Sequence, residues 1–274
     1  MLSPDDASIV SKISGELASE TRCSILIYLV NKPAKLSSLA RELDITVQEV
    51  FRNMIRMMEA GLIKRGGGDD PGGSGVFHLT ELGRLVTKQI PYYLAIKKHQ
   101  ELFEGHTLKD IPDKFVQRIG ALQNCEVVKT VTVVFEKLKK LESDAKASLK
   151  IMVSQAWPEE GKILAERAIN GVEVCGMFGR NTVFPREVIE NVIPIINGLE
   201  KSGKIKIKMI DTVNIAIYIS DSRSAVMLPY VKGEVDMSVL LIGNDPQFNE
   251  WCLDLFNHFW EQAGPANLDK ARIV

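Results

Sequence analysis

Apolar residues in the first third of the chain recur at intervals of three and four, the spacing that places them on one face of a helix. This pattern predicts a helix that Ser19 caps, a second that Ser37 or Ser38 caps, and a third from Thr46 to Gly61. Thr80 is expected to cap a fourth helix. Helices joined by such short turns should pack into a compact bundle.

Two short runs after the third helix have the composition of β-strands, at residues 62–65 and 76–79. The ten residues between them, 66–75, include six glycines and predict a flexible hairpin tip.

From residue 148 onward the pattern changes to strands that alternate with helices, which is typical of βαβ units with parallel strands. The predicted order is a strand at 149–154, a helix at 158–170, a strand at 172–178, a helix at 186–200 and a strand at 205–210. An antiparallel hairpin (215–219 and 225–228), a last strand (239–242) and an amphipathic helix after Pro246 follow.

These patterns divide the 274-residue chain into three parts. We expect a small domain at residues 1–90, a helical connector at 91–145 and an α/β domain at 146–274. Pro91 should bend the helical material at the first boundary, because proline lacks an amide hydrogen and crowds the preceding turn.

Composition narrows the class of protein without identifying it. Hydrophobic residues make up 45% of the chain and charged residues 25%, with a formal net charge of -1, which excludes a disordered chain and a surface that is basic throughout. The sequence has no apolar run of roughly 18 residues, and its acidic start is unlike a signal peptide. We therefore expect a cytoplasmic protein with no membrane contact.

Motifs for catalysis, cofactors and metals are missing from the sequence. The glycine motifs of nucleotide sites do not occur, and none of the four histidines stands in the H-x-K spacing of a phospholipase-D-type phosphodiesterase. The four cysteines form no C-x-x-C pair, so we expect them to be reduced packing residues. The sequence thus predicts no cofactor, no metal and no catalytic site.

The third predicted helix combines an apolar stripe with a polar face. The stripe consists of Val47, Val50, Met54, Met57 and Met58. The polar face carries side chains that can bond base edges in the major groove of DNA, and it consists of Gln48, Glu49, Arg52, Asn53 and Arg56. We also include Thr46, at the start of this helix, among the candidate DNA contacts.

Basic residues on the strands after this helix could contact phosphates. The candidates are Lys64, Arg65 and His78. Residues 52–65 carry four basic side chains against one acid, a local charge of +3, although residues 1–90 as a whole are neutral. A single surface of this charge would bind DNA weakly, so we predict a homodimer that binds two half-sites about one DNA turn, roughly 34 Å, apart.

The segment Leu36–Thr46 resembles the support helix and turn of a winged helix-turn-helix, of the ArsR/MarR-like type found in bacterial and archaeal transcription regulators. Val47–Met54 and Met58–Ile63 resemble the recognition helix and its exit, and the resemblance covers residues of about 5–90. It implies a DNA-binding domain. Asp69 and Asp70 depart from the pattern, because phosphates would repel them, so we expect the tip to stay out of the minor groove.

A second resemblance covers roughly residues 105–263. The residues that carry it lie in Gly171–Met177, Val226–Pro229, Val235–Ser238 and an aromatic run from Asp245 to Trp260. They resemble the methanogenesis-regulator (Fil-type) middle domain of archaeal winged-helix regulators, a relative of the catalytically inert phospholipase-D-like sensor domain in TrmB-type sugar regulators. The resemblance implies an effector-sensing or dimerising module without catalysis.

Ligands of open α/β sheets bind beyond the carboxyl ends of the strands. The candidates at such positions are Gln155, Trp157, Arg180, Asn181 and Asp236. The alternative is that all five are ordinary loop residues, and Arg180 could pair either with an anionic effector or with a nearby carboxylate.

Together these features predict an α+β winged helix-turn-helix domain, a helical connector and an α/β phospholipase-D-like, catalytically inert domain. The favoured function is a dimeric, sequence-specific transcription regulator that binds double-stranded DNA and, through its second domain, sets the dimer geometry or senses a small-molecule effector. Two alternatives stay open. One is a phosphodiesterase-like enzyme with an appended winged-helix interaction module, and the other is an adaptor that binds protein or RNA.

Overall fold

The computed structural model of the chain describes residues 3–66, 75–266 and 272–273. The fold is α+β, and the chain divides into two compact units, Met1–Pro91 and Tyr92–Val274. Most of the predicted hairpin tip, including Asp69 and Asp70, lies outside the described residues. The expectation that this tip stays out of DNA therefore remains a prediction.

Short helices surround a small sheet in the first unit. Its elements are α1 (Pro4–Leu17), α2 (Glu20–Asn31), β1 (Ala34–Lys35), α3 (Leu36–Leu43), α4 (Val47–Glu59), β2 (Ile63–Arg65), β3 (Val76–Leu79) and α5 (Glu81–Thr87).

Side-chain caps start three of these helices where the sequence predicts them. The hydroxyl groups of Ser19, Thr46 and Thr80 accept hydrogen bonds from the first turns of α2, α4 and α5. The predicted cap at Ser37 or Ser38 is wrong. Helix α3 begins earlier, at Leu36, because Lys35 belongs to β1 and already has an extended backbone.

The small sheet has the strand order β1-β3-β2 and is antiparallel throughout. The hairpin β2–β3 was predicted, and β1 was not, because a strand of two residues has no pattern of its own. Ala34 on β1 lies opposite Phe77 on β3. Both are buried in the core of the unit together with side chains from α2, α3 and α4.

The second unit is built on a larger sheet. Its elements are α6 (Ile90–Lys98, which begins in the first unit), α7 (Gln100–Gly105), α8 (Asp113–Val116), a 3-10 helix (Ile119–Asn124), β4 (Glu126–Lys129), α9 (Val131–Ser143), β5 (Ser148–Gln155), α10 (Pro158–Ile169), β6 (Glu173–Phe184), a π-helical turn (Val188–Val192), α11 (Ile193–Lys201), β7 (Ile205–Ile210), β8 (Ala216–Ser220), β9 (Arg223–Met227), β10 (Val239–Gly243), α12 (Pro246–Gln262), β11 (Gly264–Pro265) and β12 (Arg272–Ile273).

The large sheet has the order β11-β7-β6-β5-β8-β9-β10-β4, and β12 pairs with β6. The strands β5, β6 and β7 are parallel, and β8 and β9 form an antiparallel hairpin, as the sequence predicts. Side chains along β5 point alternately to the two faces of the sheet, and each face has its own hydrophobic core. Ile151 and Val153 pack in the core that contains residues of α9, α10 and α11, whereas Met152 packs in the core that contains residues of α12.

The predicted helical connector at 91–145 is not a separate part of the structure. Almost all of it belongs to the same unit as the α/β domain. Strand β4 forms the edge of the large sheet beside β10, and α9 contributes Val134, Leu138 and Leu141 to its core. The sequence pattern missed this because a four-residue edge strand between helices gives a weak signal. The break at Pro91 does occur, since α5 ends at Thr87 and α6 starts afresh at Ile90.

The last helix follows the prediction closely. The Asp245 side chain accepts hydrogen bonds from the amides of Gln247 and Phe248, which starts α12. Phe248, Trp251 and Phe256 are buried on its inner face. None of the helices in the described part of the chain has the length and the apolar character that crossing a bilayer requires.

Candidate nucleic-acid interface

Helix α4 buries one face and exposes another. Val50, Met54 and Met57 have no exposed surface and anchor the helix in the core. Gln48 and Arg52 lie on the exposed side. The predicted arrangement of an apolar anchor behind exposed polar side chains is therefore present for these two residues.

The exposed face of α4 also contains apolar side chains, of which the helical wheel placed Val47 on the buried stripe and assigned Phe51 and Ile55 to neither face. Val47, Phe51 and Ile55 are 47%, 48% and 36% exposed. Val47 was predicted to face the bundle, and this prediction is wrong. The buried stripe is narrower than predicted because the core reaches only one side of the helix.

The remaining predicted polar residues of α4 have hydrogen-bond partners within the unit, although the Arg56 side chain is still 57% exposed. Arg56 Nε donates to Glu16 Oε1 at 2.9 Å, and Glu16 is buried. Glu49 Oε1 accepts from the Thr21 hydroxyl at 3.4 Å, and the Asn53 amide donates to the Glu49 carbonyl at 3.0 Å. The predicted polar face thus combines side chains with partners inside the unit and, at Gln48 and Arg52, exposed side chains.

The ion pair of Arg56 leaves the predicted local charge of +3 unchanged. Glu16 also lies 3.0 Å from Arg22 Nε, so one buried carboxylate forms ion pairs with two arginines and balances only one of their two positive charges. Arg56 is held by Glu16, whereas Arg52 and the basic residues of the following hairpin carry positive charge that Glu16 does not contact.

Thr46 acts as the N-cap of α4, since its hydroxyl accepts from the Glu49 amide at 3.2 Å. We expect Thr46→Ala to lower the free energy of unfolding by about 1 kcal/mol, because the amide loses its partner. Thr46→Asn should keep the cap and restore the stability. Denaturant unfolding followed by circular dichroism measures both variants, and equal stability of Thr46→Ala and wild type would contradict the capping role. If Thr46 also contacts DNA, Thr46→Asn will bind DNA more weakly while remaining stable.

A basic groove of about 630 Å³ lies at the base of the β2–β3 hairpin. It is lined by Lys64, Arg65, His78 and Arg84, with Glu81 at its edge. Lys64 and His78 are directly opposite each other in the antiparallel pair, so their side chains project to the same face. Three cations against one acid leave a net charge of +2, which favours a phosphate or another anion.

Arg84 was missed by the sequence reasoning. It lies on α5, and the groove contains it because α5 packs against the hairpin through Gly83. The available signal was its position four residues after the cap residue Thr80, which places it one turn into the helix. Arg84 Nη1 lies 3.7 Å from Glu81 Oε2, a loose and exposed pair that leaves the guanidinium accessible.

The five predicted ligand residues of the second unit do not share one environment. Gln155 is exposed, and Trp157 packs edge-on against Phe135 with ring centroids 4.8 Å apart. Arg180 Nε lies 3.0 Å from Asp211 Oδ1. Of the two predicted partners of Arg180, an anionic effector or a nearby carboxylate, the structure shows the carboxylate. The side chain of Asn181 lies outside the described residues.

Arg180 and Asn181 lie within a strand and not beyond its end. The sequence predicts that this strand stops at residue 178, but β6 continues to Phe184. The hydroxyl of the buried Thr182 accepts from the Gly179 amide at 2.9 Å and donates to the Val153 carbonyl at 3.3 Å. These hydrogen bonds allow the strand to continue through a segment whose composition is typical of a loop.

Asp236 is enclosed, which contradicts its prediction as a ligand-facing residue. It is 2% exposed, its Oδ2 lies 3.0 Å from His106 Nε2, and its Oδ1 accepts from the amide and hydroxyl of Ser238. Burial acts to raise the pKa of this carboxyl, but hydrogen bonds from Ser238, Tyr230 and His106 outweigh it and hold the pKa below its usual value. Asp236 thus ties a turn to residue 106, 130 positions earlier.

The cysteines have the environment of packing residues. All four are free, and Cys125, Cys175 and Cys252 are buried. Burial raises the pKa of Cys125 to about 12, which keeps its thiol protonated and unreactive. Within the described residues, no group of three or more histidine, cysteine or acidic side chains is placed to hold a metal ion.

No family model and no curated protein sequence matches the chain. Among solved structures, it is similar to TrmBL2, an archaeal chromatin protein described as showing a novel mode of DNA binding, with 13% identity and a TM-score of 0.42 over 88% of this chain and 92% of the other. It is also similar to Nuc, a phospholipase D family member from Salmonella typhimurium, with 18% identity and a TM-score of 0.40 over 53% of this chain and 98% of the other. The mitomycin 7-O-methyltransferase MmcR matches with 13% identity and a TM-score of 0.24, over 73% and 61% of the two chains. Similarities at this level do not assign a function or a family.

Proposed function

We propose that this protein is a dimeric, sequence-specific transcription regulator that binds double-stranded DNA. The observation that carries the proposal lies in the first unit, where the exposed side of α4 presents Gln48 and Arg52 and the following hairpin has a basic groove at its base. A winged helix-turn-helix uses these two surfaces together. Its recognition helix contacts base edges while the hairpin contacts phosphates.

The apolar residues on the exposed side of α4 support the same proposal. Phe51 and Ile55 lie beside Gln48 and Arg52, and apolar side chains in the major groove contact the methyl group of thymine. A surface of polar and apolar side chains can therefore distinguish base pairs more fully than a charged surface alone.

A second copy of the chain supplies the second half-site in this proposal. Helix α1 exposes Ile9, Val10 and Ile13, apolar side chains that a partner helix could cover. The second unit, which we propose to be a phospholipase-D-like and catalytically inert domain, sets the spacing of the two DNA-binding surfaces or senses a small effector. An effector that changes this spacing would change the affinity for DNA.

Arg52→Ala tests the base contact. We expect it to cost about 1–3 kcal/mol of binding free energy on a duplex selected from a random pool by the wild-type protein, and to relax the sequence preference. Arg56→Ala on the same helix should lose less, because its guanidinium bonds Glu16. Fluorescence anisotropy with the selected duplex and a scrambled duplex measures both variants. Unchanged affinity and preference in Arg52→Ala would contradict the proposed recognition helix.

The double variant Lys64→Ala/Arg65→Ala tests the phosphate contacts. We expect it to weaken binding to the selected and scrambled duplexes alike, because phosphates carry no sequence information. The slope of log affinity against log salt should fall in magnitude by roughly 2 per protomer. Lys12→Ala, on the exposed part of α1, is the control and should leave the slope unchanged. A loss confined to the selected duplex would contradict this role.

A further inference from the structure

An open groove of about 370 Å³ lies between α9 and α10 in the second unit. Its floor is apolar and includes Phe135, Trp157 and Ile163. The volume falls in the range of small-molecule sites, which extends from about 300 to 1,000 Å³. Two acids, Glu136 and Glu159, stand at the groove against the single cation Lys139, so its charge favours a cation over an anion.

Trp157 also lines a second, smaller cavity of about 30 Å³. This cavity has room for one water-sized group, and Glu160 is the charged side chain in its otherwise apolar wall. Because Trp157 lines both spaces, the groove and the cavity are neighbours.

Glu160 is 2% exposed, and its Oε1 has no hydrogen-bond partner among the described residues. The titratable groups that face it are Glu142 on α9 and Tyr218 on β8. Burial and the neighbouring Glu142 raise the pKa of the Glu160 carboxyl well above its usual value. A buried acceptor without a donor is costly, and a ligand that supplies the donor would recover that cost.

We propose that the groove and the cavity together bind a small organic cation, an amine on an apolar or aromatic body. The body occupies the groove between α9 and α10, and the ammonium group enters the cavity and donates to Glu160. This site goes beyond the proposed DNA binding and does not depend on it, because every residue involved lies in the second unit.

Binding of an ammonium ion to this site is expected to release protons. Burial and the neighbouring Glu142 raise the pKa of the Glu160 carboxyl and so favour its protonated form in the free protein, whereas an ion pair with an ammonium group requires the carboxylate. The carboxyl proton then passes to the buffer, and up to one proton is released per ligand bound.

Calorimetry of the full chain at pH 7, in two buffers of different ionisation enthalpy, tests the proposal. The probes are 2-phenylethylamine, 2-phenylethanol and 3-phenylpropionate, which share an apolar body and differ in the charge of the head group. We expect the amine to bind at least tenfold more tightly than the alcohol with net release of protons, and the carboxylate to bind more weakly than either. Amine binding no tighter than that of the alcohol would overturn the proposal.

Glu160→Gln distinguishes the buried carboxyl from the acids at the surface. We expect this variant to bind the amine at least tenfold more weakly and to release no proton, while Glu166→Gln, an exposed acid on the same helix, behaves as wild type. If Glu160→Gln retains the affinity and the proton release, or if Glu136→Gln/Glu159→Gln abolishes the preference for the amine and Glu160→Gln does not, the buried site is wrong. Circular dichroism verifies that each variant is folded. DNA binding by the wild-type protein is measured separately. A failure of the amine-binding proposal can therefore be distinguished from a failure of the DNA-binding proposal.

Discussion

Gly83→Ala is expected to destabilise the first unit by about 3 kcal/mol. A Cβ atom at residue 83 would overlap the carbonyl oxygen of Leu62 and lie 3.2 Å from Leu79 Cδ2. The Leu62 oxygen already accepts from the amide and hydroxyl of Thr80, at 3.0 and 3.1 Å, so it cannot move away without loss of these bonds. The methyl group would instead push α5 from the hairpin and take Arg84 out of the basic groove.

The tryptophans allow this effect to be assigned to one unit. All three, Trp157, Trp251 and Trp260, lie in the second unit, so their fluorescence follows its unfolding, whereas far-ultraviolet circular dichroism follows both units. We expect Gly83→Ala to shift the part of the dichroism transition that has no counterpart in fluorescence. DNA affinity should fall with it, because the groove loses its shape.

Gly15→Ala is the matched control for this variant. No atom lies within 4 Å of a Cβ built at Gly15 in α1, and alanine favours the helix, so this variant should be as stable as the wild type or more stable by up to about 1 kcal/mol. If Gly83→Ala were equally well tolerated, the close packing of α5 on the hairpin would be wrong.

Glu142→Gln is expected to stabilise the second unit by about 3 kcal/mol at pH 8 and by much less at pH 5. Burial raises the pKa of the Glu142 carboxyl from its usual 4.5 to about 8, against a smaller opposite effect of its hydrogen bond with Glu160. The two carboxyls lie together between α9 and α10 and are 1% and 2% exposed. Glutamine keeps the shape of the protonated acid and has no proton to lose.

The sign follows from the proton affinities of the two states. Between pH 4.5 and pH 8 the folded protein holds a proton on Glu142 that the unfolded chain has lost. Stability is therefore fully present below pH 4.5 and declines as the pH rises, by up to about 1.4 kcal/mol per pH unit for one such group. In Glu142→Gln the loss of stability that Glu142 causes at high pH is absent, and only the pH dependence due to Glu160 remains.

Urea unfolding followed by tryptophan fluorescence from pH 5 to pH 9 measures this difference. Glu136→Gln is the control, because Glu136 is an exposed acid on the same helix and its loss should leave the slope of stability against pH unchanged. Parallel curves for wild type and Glu142→Gln would contradict a protonated, buried carboxyl at residue 142.

Local interactions explain which predictions from the sequence are confirmed. A cap involves residues three positions apart, as with Thr46 and Glu49, so the sequence alone identifies it. The strands β5 and β7 and the helix α10, which leads from β5 to β6, follow from short patterns of apolar residues. The parallel pairing of these strands with β6 follows from the helices that connect them. These features need no knowledge of distant contacts.

Distant contacts account for the errors. Arg56 is 40 positions from Glu16 and Asp236 is 130 positions from His106, and no local pattern shows that such residues meet. The wheel of α4 likewise could not show that the core covers only one side of the helix, which leaves Phe51 exposed. A side chain that the sequence predicts to contact DNA or a ligand can thus instead be paired with a residue elsewhere in the chain.

The amino-acid sequence by itself determined most of the helices and strands, the caps at Ser19, Thr46 and Thr80 and the division near residue 90, because these depend on propensity and on spacings of two to four residues. Only the tertiary structure decided which polar side chains remain free, that Arg84 joins Lys64 in one groove, and that Glu142 and Glu160 share a buried site. The physical reason is that burial and pairing are properties of elements packed together. Whether a charged side chain is exposed, buried or paired depends on neighbours that are near in space and far along the chain.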